Sequence, residues 1–173
     1  LSQGKEAADT LVLHPIRSAY LHYPRNMQKL EERYRKFVEA LTSDHISYHF
    51  GDETILHDMG SVEGNRIKVG LCSYDKVLIP YIETMDSGTA ELLEKYINNG
   101  GKICILGKAP ERIDGRAADL SFLKSNMTYD ELKTLSGISV RAGGKDIPLP
   151  MQMRDTCDGK LIFIANTSGE EYL

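Results

Sequence analysis

At 173 residues, with 41% hydrophobic and 27% charged side chains, the chain has the composition of one globular domain with a real core and is too short for two. A net charge of −4 supplies no basic field for nucleic acid and no polybasic face for an anionic membrane, and no apolar run approaches membrane-spanning length. The three cysteines, Cys72, Cys104 and Cys157, are an odd number at spacings that match no zinc pattern, which argues against a disulfide framework and favours a reducing, cytoplasmic compartment.

The opening stretch, Leu1 to Thr10, is polar and does not read as a leader. Thr10 to His14 is short, aliphatic and closed by Pro15, which predicts a buried strand. The residues that follow, among them Ser18, Tyr20, His22, Tyr23 and Pro24, predict a loop. Asn26 to Thr42 predicts the clearest helix, because Met27, Leu30, Tyr34, Phe37, Val38 and Leu41 recur at helical spacing. Ile46 to Phe50 predicts a second strand ended by Gly51. Asp52 then caps a short helix, Glu53 to Met59, that Gly60 stops. Alternation over Arg66 to Leu71 predicts a half-exposed edge strand. Lys76 to Pro80 and Lys102 to Leu106 predict two more buried strands, the second with Cys104 as a buried free thiol. Between them, Ser87 to Asn98 predicts a helix with Leu92, Leu93, Tyr96 and Ile97 inward. Thr128 and Glu131 form a capping box for a short helix ended by Gly137. Met151 to Thr156 and Lys160 to Ala165, about a turn at Asp158-Gly159, predict an antiparallel hairpin.

Strands alternating with helices predict an α/β domain with a mostly parallel sheet in three layers, a flavodoxin-like arrangement. Residues 1–150 are assigned to that domain. Residues 151–173 are the hairpin, either its edge or the first strands of a following β-domain.

Ligands of open α/β sheets sit beyond the carboxyl ends of the strands, so any site is expected on that rim. There, His14, Arg17 and Ser18 could bind an anion or sugar hydroxyls, or could simply fix the exit from the first strand. Asp52 and Glu53 are adjacent and diverge on a regular backbone, whereas glycosidase carboxylates face each other about 5–10 Å apart. A cap plus an acid favoured by the helix dipole is the competing reading. Tyr81 completes the rim. His45 and His49 flank a strand pattern that sets them about 13 Å apart, too far for one metal. Gly100-Gly101 precedes a strand rather than following one, and Pro15-Ile16-Arg17-Ser18 has no glycine, so neither a dinucleotide nor FMN is expected. No Gly-x-Ser-x-Gly elbow surrounds Ser18, and no cysteine sits at an exposed elbow. The expectation is therefore no catalytic residue, no cofactor and no metal, with His14, Arg17, Ser18, Asp52, Glu53 and Tyr81 as a docking or ligand rim.

Four segments together carry a resemblance: Leu11 to Tyr20 (with His14-Pro15-Ile16-Arg17-Ser18), Gly51 to Leu56, Tyr74 to Pro80, and Gly100-Gly101-Lys102-Ile103. They resemble the β-galactosidase trimerisation-type domain, a class I glutamine amidotransferase-like fold that follows the catalytic barrel in large multidomain bacterial glycoside hydrolases. The resemblance covers about residues 9 to 115; the tail, Arg154 and Asp158 to Asn166, is similar to the start of the β-sandwich that often comes next. It implies a non-catalytic accessory or oligomerisation domain whose partners are the flanking barrel, further copies of the chain, and carbohydrate at the rim. True amidotransferases place a nucleophilic Cys at the turn after a central strand; here that turn is Gly107-Lys108-Ala109-Pro110, so their chemistry does not carry over. The alternative is a small α/β hydrolase or amidotransferase relative with a site near His14, Ser18 and Glu53.

Overall fold

A computed structural model describes residues 3–25, 27–136 and 138–172. The chain enters with a two-residue strand, β1 (Lys5–Glu6), and reaches the core with β2 (Thr10–Leu13), every residue of which is buried. The loop expected next is instead a helix, α1 (Ile16–His22), with Pro15 at its N-cap. A proline is tolerated there because the first helical N–H groups have no partner within the helix anyway. The long amphipathic helix is α2 (Met27–Ser43), which buries Phe37 and Leu41; its expected first residue, Asn26, lies outside the described residues. β3 (Tyr48–Gly51) and α3 (Glu53–Met59) follow. Asp52 caps α3 as expected, accepting from the N–H groups of Thr54 at 2.9 Å and Ile55 at 3.3 Å.

Next comes an antiparallel meander of β4 (Gly60–Glu63), β5 (Arg66–Val69) and β6 (Cys72–Tyr74). The segment expected as an edge strand is thus the middle of a separate sheet. Its turns explain the difference: Gly64 and Gly70 each stand first in a two-residue hairpin loop with φ of 59° and 56°, a conformation that only glycine adopts at no steric cost. β7 (Lys76–Pro80) is entirely buried, β8 (Thr84–Met85) follows, and α4 (Ser87–Asn98) is capped by Asp86. After β9 (Lys102–Leu106) come a small hairpin of β10 (Arg112–Ile113) and β11 (Arg116–Ala117), then α5 (Tyr129–Ser136). The capping box is formed: Thr128 N–H donates to Glu131 Oε2 at 2.7 Å, and Glu131 N–H to Thr128 Oγ1 at 3.2 Å. The expected stop at Gly137 lies outside the described residues. A second short hairpin, β12 (Arg141–Ala142) with β13 (Lys145–Asp146), precedes the terminal hairpin of β14 (Met151–Thr156) and β15 (Gly159–Ile164).

The four apolar segments predicted as parallel strands form one parallel sheet in the order β3-β2-β7-β9. The fold is therefore mixed α/β, with this sheet at its centre and several small sheets around it, antiparallel except where β10 pairs with β8 in parallel. Because strand side chains alternate between faces, the core divides in two. Leu11, Leu13, Val77, Ile79 and Ile103 cluster with Leu56 of α3 and Leu93 and Tyr96 of α4. Val12, Leu78 and Cys104 cluster with Phe37 and Leu41 of α2 and Leu132 of α5.

The outer edge of β9 is sealed by side chains. Ile103 N–H donates to Asn126 Oδ1 at 2.8 Å, and Ile105 N–H to Ser125 Oγ at 2.7 Å. This removes the unpaired donors that make a strand edge a template for further pairing. The terminal hairpin does not join the parallel sheet. It pairs with the N-terminal strand in a sheet of order β1-β14-β15, tying residues from the two ends of the chain together. Four successive apolar residues of β15, Leu161 to Ile164, are each between 43% and 49% exposed, so both faces of that strand remain about half uncovered.

Candidate functional site

The chain runs from β2 outward to β3 and then back across to β7. The topological switch point, where an open sheet of this kind leaves a crevice, thus lies between the carboxyl ends of β2 and β7. Here the chain bridges that gap itself. α1 follows β2 after two residues, His14 and Pro15, and is pinned to the segment that leaves β7. Ser18, 1% exposed, accepts hydrogen bonds from the N–H groups of Glu83 (2.9 Å) and Thr84 (3.2 Å) and donates its own to Thr84 O at 3.2 Å. Its hydroxyl is fully committed to backbone.

Arg17 and Glu53 are brought together, and with them a residue the sequence reading did not name, Asp86. Arg17 Nη2 lies 2.8 Å from Asp86 Oδ2, and its Nε 3.7 Å from Glu53 Oε1. Glu53 is 1% exposed, and its Oε2 accepts from Asp86 N–H at 2.5 Å. Asp86 Oδ1 meanwhile accepts from Gly88 N–H at 2.9 Å, capping α4. Burial raises the pKa of Glu53; the Asp86 N–H and the Arg17 charge oppose that rise. Glu53 Oε1 and the Thr89 hydroxyl are both buried without a well-aligned hydrogen bond, the hydroxyl lying near enough to favour the carboxylate. Asp52, by contrast, points to the N–H groups of its own helix. The two adjacent carboxylates do separate jobs and never face each other.

His14 belongs to neither cluster. Its ring meets Tyr34 and Phe50 edge-on, at centroid distances of 5.8 and 5.6 Å. Beside it lies a small apolar hollow of about 190 Å³ lined by Pro15, Met27, Leu30 and Tyr34.

Tyr81 stands at the carboxyl end of β7 with φ of 38°, a left-handed conformation unusual for a bulky residue. Arg33 of α2 lies over its ring, 5.2 Å from the centroid. On another side the ring rests against Gly107, where an added Cβ would stand 3.0 Å from it. The expected rim thus breaks into three parts: the Arg17–Glu53–Asp86 cluster with the Ser18 clamp, the aromatic contacts of His14, and the Tyr81–Arg33 stack. Asp86 was legible as a helix cap in Asp86-Ser87-Gly88-Thr89. Arg33 was not, since it reads as one more charged residue on the wet face of α2.

Burial pushes the Cys104 thiol up to about 11, which leaves it inert at neutral pH. Among the described residues no group of three or more His, Cys, Asp or Glu side chains is placed to hold a metal ion, and no helix is long and apolar enough to cross a membrane. No protein family, no curated protein and no solved structure matches the chain.

Proposed function

We propose that this chain is a non-catalytic structural domain of a larger glycoside hydrolase, with the three-layer, flavodoxin-like architecture of the amidotransferase-like trimerisation domains it resembles. The architecture is supported by the order of the four parallel strands, second-first-third-fourth along the chain, which is the doubly wound order. Two core clusters, each with its own pair of helices, also support it.

One observation carries the functional reading. The residues best suited to chemistry hold the domain together: Ser18 clamps the strand exits, and Glu53 is buried between Asp86 N–H and Arg17. A nucleophile needs a base and an open position for substrate, and a general acid needs reach to the substrate. Both groups are turned inward instead. The rim then serves as the face that meets the flanking catalytic barrel, with further copies of the chain or carbohydrate as secondary partners. The uncovered faces of β15 offer a second contact surface.

The test compares the isolated domain with its parent protein on aryl glycosides, aryl esters and glutamine. The expected result is turnover by the parent and none by the isolated domain, with loss of assembly when this domain is deleted from the parent. Turnover by the isolated domain that is abolished by Ser18→Ala or Glu53→Gln overturns the proposal in favour of a small α/β hydrolase.

A further inference from the structure

A second feature of the rim shares Glu83 with the Ser18 clamp, which holds the Glu83 backbone and leaves its carboxylate to the surface. α2, the segments that follow β7 and β9, and the start of β10 border a half-open cavity of about 360 Å³. That lies at the small end of the range for ligand pockets, roughly 300–1,000 Å³. Its wall is mostly charged. Arg33, Lys108 and Arg112 supply three cationic groups against the carboxylates of Glu83 and Glu111. Both carboxylates have partners: Glu83 meets His22 at 2.7 Å, and Glu111 meets Lys108 at 2.6 Å. The two arginines are paired with no carboxylate among the described residues. Arg33 lies over Tyr81, and Arg112 donates to the Gly115 carbonyl at 3.2 Å.

The support under Arg33 is the second observation. A tyrosine with φ of 38° sits in a backbone conformation unfavourable for a bulky residue, which persists only where the surroundings fix it. Here Tyr81 N–H donates to Leu106 O at 3.2 Å, and the ring lies against Gly107, which itself has φ of 78°. The strained backbone aims the ring, and the ring seats the guanidinium. An arginine held in place before a ligand arrives loses less freedom on binding. Guanidinium groups present paired donors that match the two oxygens of a carboxylate or phosphate.

We propose that this cavity binds a small oxyanion ligand, a carboxylate or phosphate carried on a hydroxylated body about the size of one sugar ring. Arg33 and Arg112 grip the anionic group. Lys108 stands at the mouth, and Glu83 and Glu111 accept hydroxyls. The inference rests on the cavity alone and does not require the chain to come from a glycoside hydrolase, so the two readings fail independently.

The test follows amide chemical shifts of the isotope-labelled chain during titration with galacturonate, galactose 6-phosphate, neutral galactose and inorganic phosphate. Shifts centred on Tyr81, Gly107, Lys108 and Arg112 are expected with at least one of the two acidic sugars and not with galactose; which acid is bound tells carboxylate from phosphate. Arg33→Ala and Arg112→Ala are each expected to weaken binding about 10-fold or more, since each removes a charge-assisted hydrogen bond to the anionic group. Amide shifts away from the cavity report that each variant is folded. The proposal is overturned if neither acidic sugar shifts these amides at millimolar concentration, if inorganic phosphate binds as tightly as galactose 6-phosphate, or if binding survives in the doubly substituted chain.

Discussion

Arg17 Nη2 lies 2.8 Å from Asp86 Oδ2, joining α1 to the residue that caps α4, and the same guanidinium stands beside Glu53 at the start of α3. One side chain therefore ties three helices that are distant in sequence. Its head remains partly open to solvent, so the pair is worth less than a fully buried one. Arg17→Ala is expected to lower unfolding free energy by about 1–2 kcal/mol, read as a shift of the urea midpoint at unchanged slope. Arg17→Lys is expected to recover only part of this, because an ammonium cannot address both carboxylates through a planar fork. Unchanged stability in Arg17→Ala would mean that the pair contributes nothing measurable. The same reasoning rules out Arg17 as a clean probe of docking in a parent enzyme, since its loss disturbs the domain itself.

Ser18→Ala removes the acceptor of two N–H groups and leaves them without a partner under α1. An unsatisfied buried donor costs about 1–3 kcal/mol. The expected loss is about 2–3 kcal/mol, with faster amide hydrogen exchange at Glu83 and Thr84 specifically. A stability loss without faster exchange at those two amides would place the effect elsewhere.

Glu53 gives a pH signature. Its folded pKa is raised above the ordinary 4.5, chiefly by burial. Between the unfolded and folded values the folded chain holds one proton more than the unfolded chain, so stability falls as pH rises through that window. The contribution is complete below the unfolded value and lost above the folded one. Glu53→Gln keeps an acceptor for Asp86 N–H and removes the titration. The variant is expected to show a flatter stability profile as pH rises above the ordinary glutamate value of 4.5. An unchanged profile would assign the titration to another group.

Both faces of β15 are about half exposed, so a lysine on either face can keep its stem against the strand and carry its charge into solvent. Ile162→Lys and Phe163→Lys, one on each face, are expected to change unfolding free energy by no more than about 0.5 kcal/mol. Both should reduce self-association in concentrated solution, measured by sedimentation, because charge on an edge strand opposes pairing with another strand. A loss above about 2 kcal/mol in either variant would show that the face is packed within the domain.

The parts legible in the sequence were those written in local pattern. β2, β7 and β9 are runs apolar enough to be read as buried strands, β3 is a short strand-forming run bounded by Gly51, and α2 and α4 carry an unbroken helical period. Asp52 and the Thr128–Glu131 box declared helix starts through residues only a few positions away. α1 was missed because nothing local makes it a helix: Pro15 offers no capping side chain, and the seven residues from Ile16 to His22 include Ser18 and no regular apolar stripe. It is held by contacts to Glu83 and Thr84, which no local period encodes. The role of Glu53 was hidden likewise, because its partners Arg17 and Asp86 are adjacent only after the sheet forms. The middle strand of the meander looked like an edge because alternation reports one buried face and says nothing about the number of neighbours.

α1, pinned across the exits of β2 and β7 by one serine, also bears on how readily this domain could acquire a new occupation. In related open sheets that gap is where a newcomer molecule is admitted, and a few side-chain exchanges can retune its welcome. Here the room is already let to a turn of the protein's own backbone. Evicting it means relocating a helix and stranding two amides, so single substitutions would cost the fold before they created an opening. The Tyr81 flank carries no such mortgage: its arginines can be exchanged while the strand hydrogen bonds beneath them stay intact. Laboratory evolution of this chain toward new ligands should therefore fix its changes around Arg33, Lys108 and Arg112 and leave Ser18 untouched.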